Sequence, residues 1–211
     1  MVVTKVFKLR GKTPKYSIFL DGTYAFEVSD ATLMKFGLTM GKTLQEETVE
    51  KIKDADLFHQ GQKVALNYIS YRPRSSREVM VKLNEKGFPL GIAQRVVEHF
   101  QSVSLINDME FARMFVRDRL RARLLGRILL KQQLSVKGIS RQIIDDVLTE
   151  YISEEDQQKA AVQLANKRLK LAKRSFSRLD PIKRKKRLMD FLLRRGFSND
   201  VAIRTVRSLL T

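Results

Sequence analysis

Three short strings in this chain repeat one another: Leu83-Asn-Glu-Lys86-Gly87-Phe88, Leu134-Ser-Val-Lys137-Gly138-Ile139 and Leu192-Leu-Arg-Arg195-Gly196-Phe197. Each sets Leu four residues before a Gly, a base directly before it and a large apolar residue directly after it. The agreement extends outward in matching frames. Val79, Leu130 and Leu188 lie eight residues before the three glycines. Ile92, Ile143 and Val201 lie five after, and Val97, Leu148 and Val206 ten after. One such string is a coincidence; three in frame are a repeat.

The pattern has a physical reading. A helix with Val79 and Leu83, or their counterparts, on one face ends where Gly takes the left-handed conformation at no steric cost, with a cation beside the unpaired carbonyls. The apolar residue after Gly supplies the contact that accompanies such a stop, and a second helix follows. A further amphipathic helix precedes each pair, over about 62–71, 108–124 and 154–172. Ser75-x-x-Glu78 and Asn107-x-x-Glu110 read as helix starts, as does Asp180-Pro181 with Pro at the first helical position. The expectation is therefore a mainly α chain with three tandem three-helix repeats, over 59–106, 107–152 and 153–211. The glycine spacings are 51 and 58 residues.

Residues 1–58 differ in kind and read as a small α/β segment. Val2 to Leu9 nearly alternates in β-branched and aromatic residues, and two further β-rich runs flank Asp21-Gly22, an antiparallel hairpin signal. Ser29 or Asp30 is placed to cap a short helix ending at Gly37, and a second helix is expected over about 45–57. Nothing in this segment carries recognisable chemistry.

Catalytic constellations do not stand out. Cysteine is absent, which excludes disulfides and thiolate metal sites. The two histidines, His59 and His99, fall in no metal-ligand spacing, and His99 beside Phe100 reads as a partly buried structural residue. Asp145-Asp146 reads as a helix face, and Glu154-Glu155-Asp156 as acids gathered at a helix N-terminus. No Gly-rich phosphate loop occurs. The expectation is a protein that is not an enzyme and uses no cofactor or metal. No apolar run long enough to span a bilayer appears, and no secretory leader, so a cytoplasmic protein is expected.

Charge points to a partner. The formal net charge is +18, yet residues 1–58 carry nine bases and eight acids, so the excess falls almost wholly on the repeats. A field of that strength favours phosphate-rich or acidic partners and opposes self-association, which predicts a monomer. Arg113, Arg117 and Arg121 recur every four residues on the first helix of the middle repeat, with Arg123 and Arg127 close by and Lys131 on the next helix. Six arginines stand in the 15 residues 113–127, against the single acid Asp118. Arg72, Arg74 and Arg77 form a second cluster at a helix start, where backbone amides add to an anion site. Lys183, Arg184, Lys186 and Arg187 lie in a third. These thirteen residues are the candidate contacts. The sequence leaves open whether they meet phosphate or acidic protein, and none has aromatic neighbours placed for base stacking.

These strings resemble the RecX family of recombination regulators. The likeness runs through Tyr68-x-x-x-Arg72-Pro-Arg74-Ser75-x-x-Glu78, Leu83-x-x-Lys86-Gly87-Phe88, Leu105-Ile-Asn107-Asp108-x-Glu110-Phe111-Ala112-Arg113, Val116-Arg117, Gly126 and Leu134-x-x-Lys137-Gly138-Ile139. It covers about 62–150 directly and 154–211 through the repeat. The resemblance implies an elongated, curved helical body in the groove of the RecA recombinase filament, dampening its recombinase and co-protease activities. It also implies single- and double-stranded DNA as partners through phosphate contacts, and no membrane. Arg121-Ala-Arg-Leu-Leu-Gly126 departs from the proline-containing turn common at that place. A basic helix-turn-helix-like protein binding DNA independently of the recombinase is the alternative that the charge and the three-helix units also fit.

Overall fold

The structure is a computed structural model that describes residues 1–11, 14–177 and 179–210. Lys12, Thr13, Arg178 and Thr211, inside the expected 1–58 and 153–211 segments, lie outside the described residues. The chain divides into two compact units, Met1–Arg74 with Glu78–Ile106, and Ser75–Arg77 with Asn107–Thr211.

The first unit opens with the strands β1 (Val3–Leu9), β2 (Lys15–Leu20) and β3 (Thr23–Ser29), an antiparallel sheet in the order β1-β2-β3. The hairpin expected at Asp21-Gly22 is present. Both residues have positive φ, 48° and 86°, the two-residue turn whose twist matches that of the strands. Ser29 caps α1 (Asp30–Phe36) by accepting the Thr32 amide, and Gly37 ends it at φ 53°.

Next comes α2 (Glu46–Ser70), a single helix of 25 residues. Two helices with a break between 57 and 62 were expected, so the 58/59 boundary falls within one helix. No proline or capping residue interrupts this stretch, and Gly61 is held by packing: a Cβ there would lie 3.1 Å from Val96 Cγ2. The two halves of α2 serve different cores. Val49 and Ile52 join Ile18, Leu20, Phe26 and Val28 beneath the sheet. Ala65, with Val64 and Tyr68, joins Val79, Leu83, Val96 and Val97 of α3 (Ser76–Glu85) and α4 (Leu90–Ser102). Between them, buried Asp56 accepts the Ser29 amide at 2.8 Å, Ser29 Oγ at 2.7 Å and Gln60 Nε2 at 2.6 Å. Burial pushes its carboxyl up, but these hydrogen bonds outweigh burial and hold it below the usual range.

The second unit holds two further three-helix sets. The first is α5 (Asp108–Ala122), α6 (Arg127–Val136) and α7 (Arg141–Tyr151), around Phe111, Val116, Leu130, Leu134, Val147 and Leu148. The second is α8 (Glu154–Leu171), α10 (Pro181–Arg194) and α11 (Asn199–Leu209), around Ala161, Leu188, Leu192, Phe197 and Val206. A short helix that the sequence did not announce, α9 (Lys173–Ser177), lies between α8 and α10 and takes up much of the longer glycine spacing of this set.

The three glycines are what the repeat implied, with φ 83°, 79° and 84° at Gly87, Gly138 and Gly196. Around each the same pair of bonds closes the helix. Phe88, Ile139 and Phe197 donate their amides back to Leu83, Leu134 and Leu192, and the glycine amides donate to Asn84, Ser135 and Leu193. All six leucine and valine positions upstream are fully buried. Ile143 is the departure in the downstream set: it is half-buried, and Ile144 takes the core position on α7. Asn107 and Asp180 cap α5 and α10 as expected. Glu154, Glu155 and Asp156 fill the first turn of α8 as expected, and Asp156 also forms a capping box with Ser153. His99 is exposed, not partly buried, with its ring 6.0 Å from that of Phe58.

Candidate anion-binding cleft

Within the second unit, the end of α5 and the segment after it face α8 and α10 across a cleft of about 640 Å³. Its floor is apolar, with Leu120, Leu124, Leu164 and Phe191, and its polar lining is cationic: Arg121, Arg123, Lys167, Arg168 and Arg195, with no carboxylate. The guanidinium groups of Arg168 and Arg195 lie over the Phe191 ring, at 5.4 and 5.6 Å from its centroid. The ring fixes two otherwise mobile side chains and leaves their N–H edges available. Arg168 Nε is buried and has no hydrogen-bond partner among the described residues, a donor for which an incoming oxyanion is the natural acceptor.

Residues 120–124, at the end of α5 and just after it, build one wall. The Gly126 amide donates to the Arg195 carbonyl at 2.8 Å, and the Ile128 amide to the Gly196 carbonyl at 2.9 Å. Buried Gln157, on α8, accepts the Arg127 amide at 2.8 Å. Gly126 is required by this approach and not by its own backbone angle: a Cβ there would come within 2.1 Å of backbone atoms of Gly196 and Phe197. At the start of α3, Ser75 Oγ donates to the Lys137 carbonyl and the Ser76 amide to Asp108.

The thirteen candidate bases do not form one surface. Arg121 and Arg123 line the cleft, and Arg117 stands exposed one turn before Arg121. Arg113 is engaged by Glu110 at 2.7 Å and Glu150 at 3.0 Å, bonds that hold its guanidinium above its ordinary pKa. Arg127 donates to Thr149, and Lys131 pairs with Asp145 at 2.5 Å, which lowers the pKa of that carboxyl. Arg72 pairs with Glu78, Arg74 lies 4.0 Å from the centre of the Tyr68 ring, and Arg77 packs over Gly138. Arg184 donates to the carbonyls of Phe176 and Leu179, shaping the approach to α10. Lys183 pairs with its capping residue Asp180, Arg187 lies over Phe176, and Lys186 is exposed. These exposed pairs are screened by solvent, so they compete only weakly with a polyanion. The sequence reading missed Lys167 and Arg168. Their signal was the spacing to Leu164 and Leu171, which puts base and apolar residue on one flank of α8.

Among the described residues no group of three or more His, Asp or Glu side chains could hold a metal ion, and no helix is long and apolar enough to cross a membrane.

Known proteins share this architecture and about a third of its sequence. The models for the first, second and third three-helix domains of RecX match residues 63–100, 107–148 and 154–206. Regulatory protein RecX of Listeria innocua is 30% identical over 96% of this chain and 73% of its own length. That of Bacillus licheniformis is 34% identical over 94% and 74%, and that of Lactobacillus johnsonii 36% identical over 73% and 56%. Among solved structures, a crystal structure of regulatory protein RecX is similar over 97% of this chain and 98% of its own, at 30% identity and a TM-score of 0.74. RecX from Lactobacillus salivarius matches over 74% of this chain and 97% of its own, at 31% identity and a TM-score of 0.64. Matches of this extent, in a chain with three glycine-stopped helix sets, place it in a family: the protein is a member of the RecX family of regulatory proteins.

Proposed function

We propose that the chain binds the RecA recombinase filament and restrains its recombinase and co-protease activities by occupying the filament groove. The observation that carries this reading is the carboxylate-free cleft, continued along α5 by Arg117, in a chain of this family. An array of fixed guanidinium groups with no acid among them suits a surface of phosphates and carboxylates. A stoichiometric blocker needs no more chemistry than this: it must hold the filament and exclude the second DNA strand. The setting is then DNA recombination and repair in the cytoplasm, with a monomer as the active species.

The test is a titration of strand exchange and filament-dependent ATP hydrolysis with the wild-type chain and with Arg121→Glu/Arg123→Glu. Binding to bare single- and double-stranded DNA is measured at matched salt. Both residues are exposed, so the variant keeps its fold. The wild type is expected to inhibit well below the concentration that coats bare DNA. The variant should need about tenfold more, the effect of roughly 1.4 kcal/mol of lost contact. Inhibition only where the DNA is already saturated would overturn the reading in favour of a recombinase-independent DNA-binding protein.

A further inference from the structure

We propose that the outer face of the N-terminal sheet is a stacking platform for single-stranded nucleic acid, separate from the cleft of the second unit. No single stretch of the chain announces such a surface, because its parts come from three strands. The sheet register brings them together. Lys5 of β1 lies directly across from Phe19 of β2, which lies directly across from Tyr24 of β3. Cross-strand partners share a face, and Phe7, two residues along from Lys5, shares it too. The opposite face holds Ile18, Phe26 and Val28 and is fully committed to the core.

The outer rings are not used by the fold. Phe7 is 52% exposed and Tyr24 58%, more than a ring needs for packing against its own sheet. The Phe19 and Tyr24 rings meet edge to face at 6.0 Å, so they hold each other in fixed orientations. Lys5 Nζ lies between, 5.6 Å from the centre of the Phe7 ring and 5.4 Å from that of Phe19. The surface thus alternates ring, cation and ring.

Charge selects the occupant. Residues 1–20 contain five bases and no acid, and on the outer face Glu27, across from Ser17, is the acidic exception. Exposed π-faces alone would fit an apolar protein partner. With lysine set among them, they fit a polyanion whose own units present flat faces, which describes unstacked bases on a phosphate backbone. Duplex bases are stacked on one another and offer no such faces, so the platform discriminates in favour of single strands.

The inference does not depend on the filament reading, and its assay contains no recombinase. Fluorescently labelled oligo(dT) and a duplex of equal length are titrated with the full chain, its Phe7→Ala/Tyr24→Ala variant and its Arg121→Glu/Arg123→Glu variant. Phe7 and Tyr24 are more than half exposed, so the fold should survive, which circular dichroism checks. The aromatic variant is expected to lose ten- to hundredfold in oligo(dT) affinity while duplex affinity changes by less than twofold. Phe7→Trp/Tyr24→Trp should retain binding, whereas Phe7→Leu/Tyr24→Leu should not, since leucine keeps the apolar area but has no ring face. Unchanged oligo(dT) affinity in the alanine variant, equal loss on both probes, or full rescue by leucine would each overturn the platform.

Discussion

Gly126→Ala should be among the most damaging single-methyl changes in this chain, and its magnitude follows from one junction. The added Cβ would lie 1.9 Å from the Gly196 carbonyl carbon and 2.1 Å from the Phe197 amide nitrogen. Both are backbone atoms, so no rotamer change relieves the clash, and the start of α6 must move off the Gly196 stop. Two backbone bonds break with it, Gly126 to Arg195 and Ile128 to Gly196, at about 1 kcal/mol each. Gln157 is buried and loses the Arg127 amide, which adds roughly 1–3 kcal/mol. Against this, alanine restricts the unfolded chain and returns about 0.4–1 kcal/mol. The net loss is about 2–4.6 kcal/mol, or roughly 4–18 °C in Tm at about 2–4 °C per kcal/mol for a chain of this size. Gly91→Ala is the matched control: it lies in α4 with open space where its Cβ would go, and should be neutral or stabilising by up to about 1 kcal/mol. Thermal unfolding followed by circular dichroism measures both, and hydrogen exchange at the 126 and 128 amides localises the effect. A Gly126→Ala protein melting within 2 °C of wild type, with those amides still protected, would refute the close-approach account.

Two further perturbations test the cores. Asp56→Asn addresses the carboxylate between the two halves of α2, whose pKa is depressed in the fold by the Ser29, Thr32 and Gln60 bonds. A depressed carboxyl contributes stability above its unfolded pKa of about 3.9, and that stability is lost as the pH falls through the lower folded value. Urea melts should therefore show wild type more stable than the variant at pH 6, with the gap closing below about pH 4; a gap that is constant with pH would count against the bonds as its origin. Leu134→Ala and Ile143→Ala occupy repeat positions of equal standing in the sequence, but only Leu134 is fully buried. The first should cost about 2–5 kcal/mol and the second less than about 1.5, with reversed order in denaturant titration refuting the assignment of the α7 core face.

The fold was legible where a local rule and a buried side chain agree. Gly87, Gly138 and Gly196 announce themselves because a left-handed stop, a C-terminal base and a C3-to-C″ apolar contact all fall within six residues. The Asp21-Gly22 hairpin is local in the same sense. Continuity of α2 was not legible, since Gly61 reads as a weak point until Val96 is seen beside it. Nor was the choice of Ile144 over Ile143, because adjacent apolar residues on a helix differ by only 100° and neighbouring helices decide which one is buried.

The bases were legible as a composition but not as a site, and the reason is competition. A sequence shows that Arg113, Lys131 and Lys183 are cations; it does not show that Glu110, Glu150, Asp145 and Asp180 fold onto them. What distinguishes Arg121 and Arg123 is the absence of any carboxylate in the cleft, and that absence is set by which flank α8 and α10 present. Charge reversal of Arg113 with Arg117 would therefore mix two effects, a new repulsion against Glu110 and Glu150 and the loss of one exposed base. Arg117→Glu alone and Arg113→Glu alone separate them. Loss of inhibition from the first with stability intact, and loss of stability from the second, are the outcomes that the ion pairs require. A stable Arg113→Glu protein that fails to inhibit would instead make Arg113 itself a contact to the partner.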